Sequence, residues 1–289
     1  MTFTSPIPFQ AALDILRRKK AMPTDLPSAA LQTLDREVRA SSLFSARTTC
    51  AEYLEEVRVV SQRLLNGEIN EATARKQLQD WLKSIGYSPE THFGSAADKE
   101  IPPALPGSLQ DLASSKRIKL VTYMQTALAQ NTGFMTKCLT PVALHAYPAW
   151  ELVREEWRKH PRGTTDKDTD TGWPERWIRA GGKLVGGRMI ALCTDAIWQE
   201  LGDSGIFDDG TDSDAPPYAF NSGMGLRRVP RKECLALGLD PDGNVDSTTK
   251  RPSLLAFLEG VPKATVPLAD MKADRAALLQ AAAALRRAA

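Results

Sequence analysis

Histidine and cysteine are scarce in this chain, no apolar run is long, and neither sign of charge dominates. His92, His145 and His160 stand isolated, and Cys50, Cys138, Cys193 and Cys234 form no CxxC pair. A zinc site of the usual kind needs Cys or His ligands grouped at close spacings. Zinc is therefore not expected, and the four thiols read as buried groups in a reducing compartment. The 37 basic and 35 acidic residues leave a formal net charge of +2, too little for a global field that gathers nucleic acid or an anionic membrane. Any DNA contact would have to be local. No run approaches the roughly 18 apolar residues of a membrane span. The first residues, MTFTSPIPFQAALDILRRKK, carry their basic cluster last, the reverse of a secretory signal. An origin in a cytoplasm, with no membrane partner, is the expectation.

What is present is ordinary globular material. The 289 residues are 42% hydrophobic and 25% charged, far from the composition of disorder, and the length suits about two domains. Residues 1–90 are written in helical code. FSARTTCAEYLEEVRVVSQRLLNG sets Cys50, Tyr53, Val57, Val60 and Leu64 three and four apart, with Ser45 as N-cap and Gly67 as stop. INEATARKQLQDWLKSIGY follows with Asn70 as cap, Ala74, Leu78, Trp81, Leu82 and Ile85 on one face, and Gly86 at its end. The short turn between them predicts an antiparallel hairpin. PFQAALDILRRKK and LPSAALQTLDREVRA add two weaker amphipathic segments upstream.

Residues 91–107 belong to a proline- and glycine-rich stretch without periodicity, which reads as a linker. Ser108 with Asp111 resembles a capping box for a helix running to about Gln130 through Leu112, Ile118, Leu120, Tyr123 and Leu128. From Tyr147 onward the code changes to tryptophan, glycine and short apolar runs, with Met189–Cys193 as a strand and turns at AGG, VGG, DDG, NSG and DPDG. Trp150, Trp157, Trp173, Trp177 and Trp198 imply an aromatic core. Residues 261–289 return to strong helix formers and predict a C-terminal helix. The fold class expected is α+β: a largely helical first half, a compact loop-rich module with short strands over 108–260, and a helical tail.

Candidate chemistry is thin. Asp208, Asp209, Asp212 and Asp214 could gather around a hard cation, and Asp240, Asp242, Asn244 and Asp246 stand at alternate positions. A calcium loop also needs glycine at its sixth position and glutamate at its twelfth, where this chain has Val245 and Arg251. A solvated acidic turn fits both stretches better. Ser222 sits in a glycine-flanked turn, but Phe220 occupies the place of the first glycine of a nucleophile elbow. The doublets of RAGGKLVGGRMIAL, with Lys183 and Arg188, invite a phosphate loop. They lack the spacing of either nucleotide fingerprint, and a glycine-framed β-hairpin explains them. No catalytic residue, metal, cofactor or small-molecule substrate is expected.

Three phrases carry a resemblance: YPAWELVREEWRKHPRG, then GWPERWIRAGGKLVGGRMIALCTDAIWQELG, then DAPPYAFNSGMGLRRVPRKECLALGL. In that order they resemble the bacteriophage head-morphogenesis family, the Mu F-like minor capsid proteins, over about residues 108–239. Many relatives carry a cysteine- and histidine-bearing segment where this chain has Pro216–Met224, which contains neither. The resemblance implies a structural closure there: Pro216 and Pro217 stiffen the approach, Tyr218 and Phe220 plug the aromatic core, and Asn221, Gly223 and their neighbours turn the chain. It further implies a protein made in the bacterial host cytoplasm and built into the virion, at the capsid interior or portal region. There it would act in procapsid assembly, with the portal protein or the major capsid protein as partner and a contact to packaged DNA left open. Residues 1–90 and the C-terminal helix would bind partners. The alternatives are a phage-encoded enzyme, nuclease or transferase, and a DNA-binding accessory factor.

Overall fold

The computed structural model describes residues 9–34, 36–89, 104–157 and 172–242. The expected C-terminal helix, and the linker up to residue 103, lie outside them. The fold is mixed α+β. In chain order the elements are α1 (Gln10–Arg18), β1 (Lys20–Ala21), α2 (Ser28–Leu31), α3 (Arg36–Ser41), β2 (Ser42–Leu43), α4 (Ala51–Leu65), α5 (Glu71–Ser84) and α6 (Ser115–Cys138). There follow α7 (Pro141–Ala146), β3 (Ala149–Arg154), α8 (Trp173–Arg179), β4 (Ile190–Leu192), α9 (Ile197–Glu200), β5 (Met224–Val229) and α10 (Arg231–Ala236). Two compact units divide the chain, one built on Leu16–Thr126 and the other on Gln10–Ile15 with Ala127–Glu259.

The first unit contains the expected helical pair. Tyr53, Leu54, Val57 and Val60 of α4 and Ala74, Leu78 and Leu82 of α5 are buried, because apolar positions three and four apart share one side of a helix. Asn70 caps α5 by accepting from the Thr73 N–H at 2.9 Å. Ile85, placed on the same apolar face by its spacing, is instead 43% exposed, since it is already the C-cap. Ser45 is not the cap of α4, which starts only at Ala51. The preceding residues are drawn out alongside Met22–Leu26, through Met22 N–H to Leu43 O, Thr24 N–H to Thr48 O and Arg47 N–H to Leu26 O. Ser45 accepts from the Arg117 guanidinium instead.

The segment before α6 also departs from expectation. Ser108 and Asp111 organise a turn rather than the helix: Asp111 accepts from the N–H groups of Gly107 and Ala113, and from the Tyr87 hydroxyl at 3.2 Å. Ser114 is the residue that takes an N–H of the first helical turn, that of Arg117. Helix α6 then runs past Gln130 to Cys138. Gly133 does not end it, because there the helix presses against α1, where an added Cβ would lie 2.8 Å from the Ala12 nitrogen.

The second unit is built on a three-stranded antiparallel sheet in the order β4-β3-β5. One face of β3 and β5 sends Trp150, Leu152, Met224 and Leu226 into the main core, with Trp173, Trp177, Trp198 and Tyr218. Trp198 stands edge-on to two rings, Trp150 at 5.6 Å and Trp177 at 5.4 Å between centroids, a preferred geometry for aromatic pairs. Trp157 is not part of that core. It follows the end of β3 and is 79% exposed. On the other face Ala149, Ile190 and Val229 pack with Cys234 of α10.

Candidate functional site

The residues singled out by chemistry or by resemblance converge on the loops that close the second unit. At their centre lies Arg176, the middle residue of WPERWIR, only 5% exposed. Its Nε and Nη2 donate to Leu201 O at 3.0 and 2.8 Å, and its Nη1 donates to Asp209 Oδ1 at 2.6 Å. The guanidinium plane also covers the Phe207 ring, with Cζ 3.9 Å from the centroid. A planar fork with five donors can hold two strands of loop in this way, where a lysine could not. Sequence reasoning missed Arg176. The available signal was an arginine three residues after Trp173 and next to Trp177, on a helix whose turn faces the core.

The acidic stretch is drawn into the same framework. Asp209 is the ion-pair partner of Arg176. Asp212, at a positive φ of 50°, accepts from the Ser204 N–H and hydroxyl, each at 2.6 Å. Asp214 is buried beside Tyr218. Of the DPDG stretch, Asp240 accepts from the Asp242 N–H, and Asp242 pairs with Arg231 at 2.7 Å. Asn244 and Asp246 lie outside the described residues. Among the described residues no group of three or more His, Cys, Asp or Glu side chains is placed to hold a metal ion.

The closure stretch divides into an inner and an outer part. The Pro216–Pro217 peptide is cis, and Pro217 O accepts from the Thr211 hydroxyl at 3.1 Å. Tyr218 is fully buried, and burial, with Asp214 adding to it, raises its hydroxyl well above the ordinary phenol range, so it is no base at neutral pH. Phe220 does not plug the core as expected. It is 43% exposed, because the chain has already begun to turn at Ala219, whose carbonyl accepts from the Ser222 N–H. Asn221 and Gly223 take the turn at φ of 54° and 67°, and β5 starts immediately after them. Ser222 is 3% exposed, and its Oγ accepts from the Met224 N–H at 3.3 Å, while its carbonyl accepts from Arg154. That hydroxyl is an acceptor within a turn.

The glycine doublets have structural uses. The Trp177 indole donates to Lys183 O across Gly182, where a Cβ would lie 2.4 Å from Nε1. Gly186 and Gly187, at φ of 58° and 77°, make a two-residue hairpin turn bridged between Val185 and Arg188. The turn leads to a strand, with no helix N-terminus to meet a phosphate. Arg188 is fully engaged with Glu151 and Glu233, at 2.8 Å each. Arg188, and after it Arg227, which also pairs with Glu151 and Glu233, hold the Glu151 carboxyl below its ordinary range. Of the cysteines, Cys138, Cys193 and Cys234 are buried free thiols and Cys50 is partly exposed. Burial pushes the Cys193 thiol far above its ordinary value, which leaves it inert as a nucleophile.

No family model, curated protein or solved structure matches this chain. Among the described residues no helix is long and apolar enough to cross a membrane. Among the described residues the loops are tied by ion pairs and by side-chain bonds to backbone, while the buried Tyr218 hydroxyl and Trp173 indole N–H have no partner.

Proposed function

We propose that this chain is a minor capsid or head-morphogenesis protein of a tailed bacteriophage or prophage, acting in procapsid assembly near the portal or the inner shell. The reading rests on the order of the three phrases given above. One observation supports it: several of the polar groups those phrases contribute are spent on holding the chain together. Arg176 is committed to Leu201 and Asp209, Arg188 to Glu151 and Glu233, and Ser222 to Met224. A catalytic site needs convergent groups aimed at a substrate, and these aim at the fold.

In this reading the helical region 1–90 and the C-terminal tail reach portal or shell protein, and the second unit is the framework that presents them. The test is mass spectrometry of purified procapsids and mature particles from a host carrying the gene with its neighbours. The expected result is a few copies per particle. Absence from both kinds of particle would overturn the proposal. So would turnover of a nucleic-acid substrate by the purified chain that disappears in a point variant with an unchanged melting temperature.

A further inference from the structure

Helix α7 has six residues, and none of them is buried. A helix that short does not persist by itself and owes its stability to packing, yet α7 meets the main core only through the partly buried Leu144. Val142 is 82% exposed, and Ala146, one turn further along the same side, is exposed as well. Helix α10 shows a similar feature, with Leu235 59% exposed and Ala236 exposed beside it. The two helices meet where Arg231 Nε donates to His145 O at 2.7 Å. Val142 and Leu235 each lie about one helical turn, roughly 5 Å along the axis, from that contact. One short apolar segment can therefore touch both.

The same arginine marks where the described chain ends. After α10 the backbone folds back, with the Leu239 N–H donating to Cys234 O, and Arg231 Nη1 pairs with Asp242 at 2.7 Å. Residues 243–289 continue from that point. They open with the polar stretch GNVDSTTKRPS, and their first apolar cluster is LLAFL, in which Leu254, Leu255, Phe257 and Leu258 carry the three- and four-residue spacings of one helix side. A flexible tether of eleven residues, 243–253, has an end-to-end distance of roughly 20 Å, whereas α7 is only about 9 Å long. The cluster thus reaches α7 and α10 without stretching the tether. A short flexible linker gives an effective concentration on the order of millimolar. A second copy of the chain at micromolar concentration would have to bind this surface about a thousandfold more tightly to compete.

We propose that the segment Leu254–Leu258 of the same chain docks on the exposed apolar side of α7 and α10, with Val142 and Leu235 as its contact points. Removal of apolar surface from water drives the contact, and the tether from Asp242 decides which apolar segment arrives first. Docking there gives α7 the packing that its own six residues lack. The proposal rests on the exposure of these two helices and on the point where the chain leaves them, and stands independently of the virion reading.

The experiment uses the full chain with Cys50→Ser, since the other three cysteines are buried, and adds a reporter thiol through Val142→Cys. Its reaction with a disulfide reagent, dithiobis(nitrobenzoate), is timed against glutathione at the same pH. A side chain as exposed as Val142 reacts freely unless something covers it, so the expected result is a reaction about tenfold slower than that of glutathione. Adding Phe257→Asp and Leu258→Asp should restore the full rate. Amide hydrogen exchange gives a second, independent reading on the chain without the reporter. Residues 254–258 should exchange slowly in the wild type and about tenfold faster in Leu235→Asp. Melting curves of both variants should match the wild type, because surface substitutions cost little. The proposal is overturned if the reporter thiol reacts at the full rate with 254–258 intact, if it stays slow after Phe257→Asp and Leu258→Asp, or if exchange at 254–258 is fast in the wild type or unaltered by Leu235→Asp. Protection that grows with protein concentration, together with a dimer in sedimentation, gives the surface to a second copy and overturns it too. None of these outcomes alters the particle composition that tests the virion reading.

Discussion

Replacing Arg176 by alanine is the sharpest test of how the loops of the second unit are held. The substitution deletes the ion pair to Asp209, two donors to Leu201 O and the cation that covers Phe207. Losing the buried guanidinium leaves Leu201 O without its two donors, breaks the pair to Asp209 and uncovers Phe207, together about 3–5 kcal/mol. For a unit of this size that corresponds to a fall in melting temperature of roughly 10–20 °C. Asp209→Ala should cost less, about 1–2 kcal/mol. Its side chain is 23% exposed, and Arg176 keeps its bonds to Leu201. Arg176→Lys should rescue little, because an ammonium cannot span both loops and cover the ring. Thermal melts by circular dichroism, with limited proteolysis of the 201–223 region, read all three variants. If Arg176→Ala melts within about 1 kcal/mol of wild type, the staple is ornamental and the argument built on it fails.

Two further outcomes follow from burial. Tyr218→Ala empties a fully buried position and should cost about 3–5 kcal/mol, whereas Phe220→Ala, at a residue 43% exposed, should cost under about 1 kcal/mol; equal losses in a denaturant titration would contradict the assignment of inner and outer halves. In the first unit Lys19 is 8% exposed, donates to Gln125 at 3.3 Å, and is lowered to about 8 by burial. The folded state thus holds this proton less tightly than the unfolded state, so stability should rise between about pH 8 and 10.5 as the lysine neutralises. Lys19→Met should remove that rise and stabilise the protein at pH 7 by up to about 3 kcal/mol. A wild-type midpoint that is flat or falling across the same pH interval, and unchanged relative to Lys19→Met, would show that the ammonium is not buried as described.

Local signals were legible in the sequence and long-range ones were not. The pattern of α4 and α5 survives apart from Ile85 and the cap at Ser45, because both helices bury a periodic face and α5 carries its own cap at Asn70. LPSAALQTLDREVRA, a weaker amphipathic segment, is split between α2 and α3. Neither piece reaches the length at which a helix sustains itself. Ser45 and Ser108 look like caps by residue type, but Ser45 is taken by a long-range contact to Arg117 and Ser108 by a local turn, where its hydroxyl accepts from the Gln110 N–H. The strand expected over Met189–Cys193 is present as Ile190–Leu192. β5 was hidden because MGLRRV follows directly on a turn and its alternation is blurred by adjacent arginines, only one face of which meets the core. Of the closure residues, Tyr218 and Phe220 are both aromatic and two apart, and spacing alone could not say that the turn begins between them.

The first helix has a consequence for how the chain is made. Residues Gln10–Ile15 cluster with a stretch that begins only at Ala127, and α1 lies so close to α6 that Gly133 has no room for a side chain. At about 5–20 residues per second on the ribosome, the opening helix waits roughly 5 to 20 s before its packing surface has been synthesised. During that interval its apolar residues, Leu13 and Ile15 among them, have nowhere native to go. The nascent chain therefore carries an early hydrophobic segment whose partner emerges late. That makes the order of synthesis a constraint this fold has to meet.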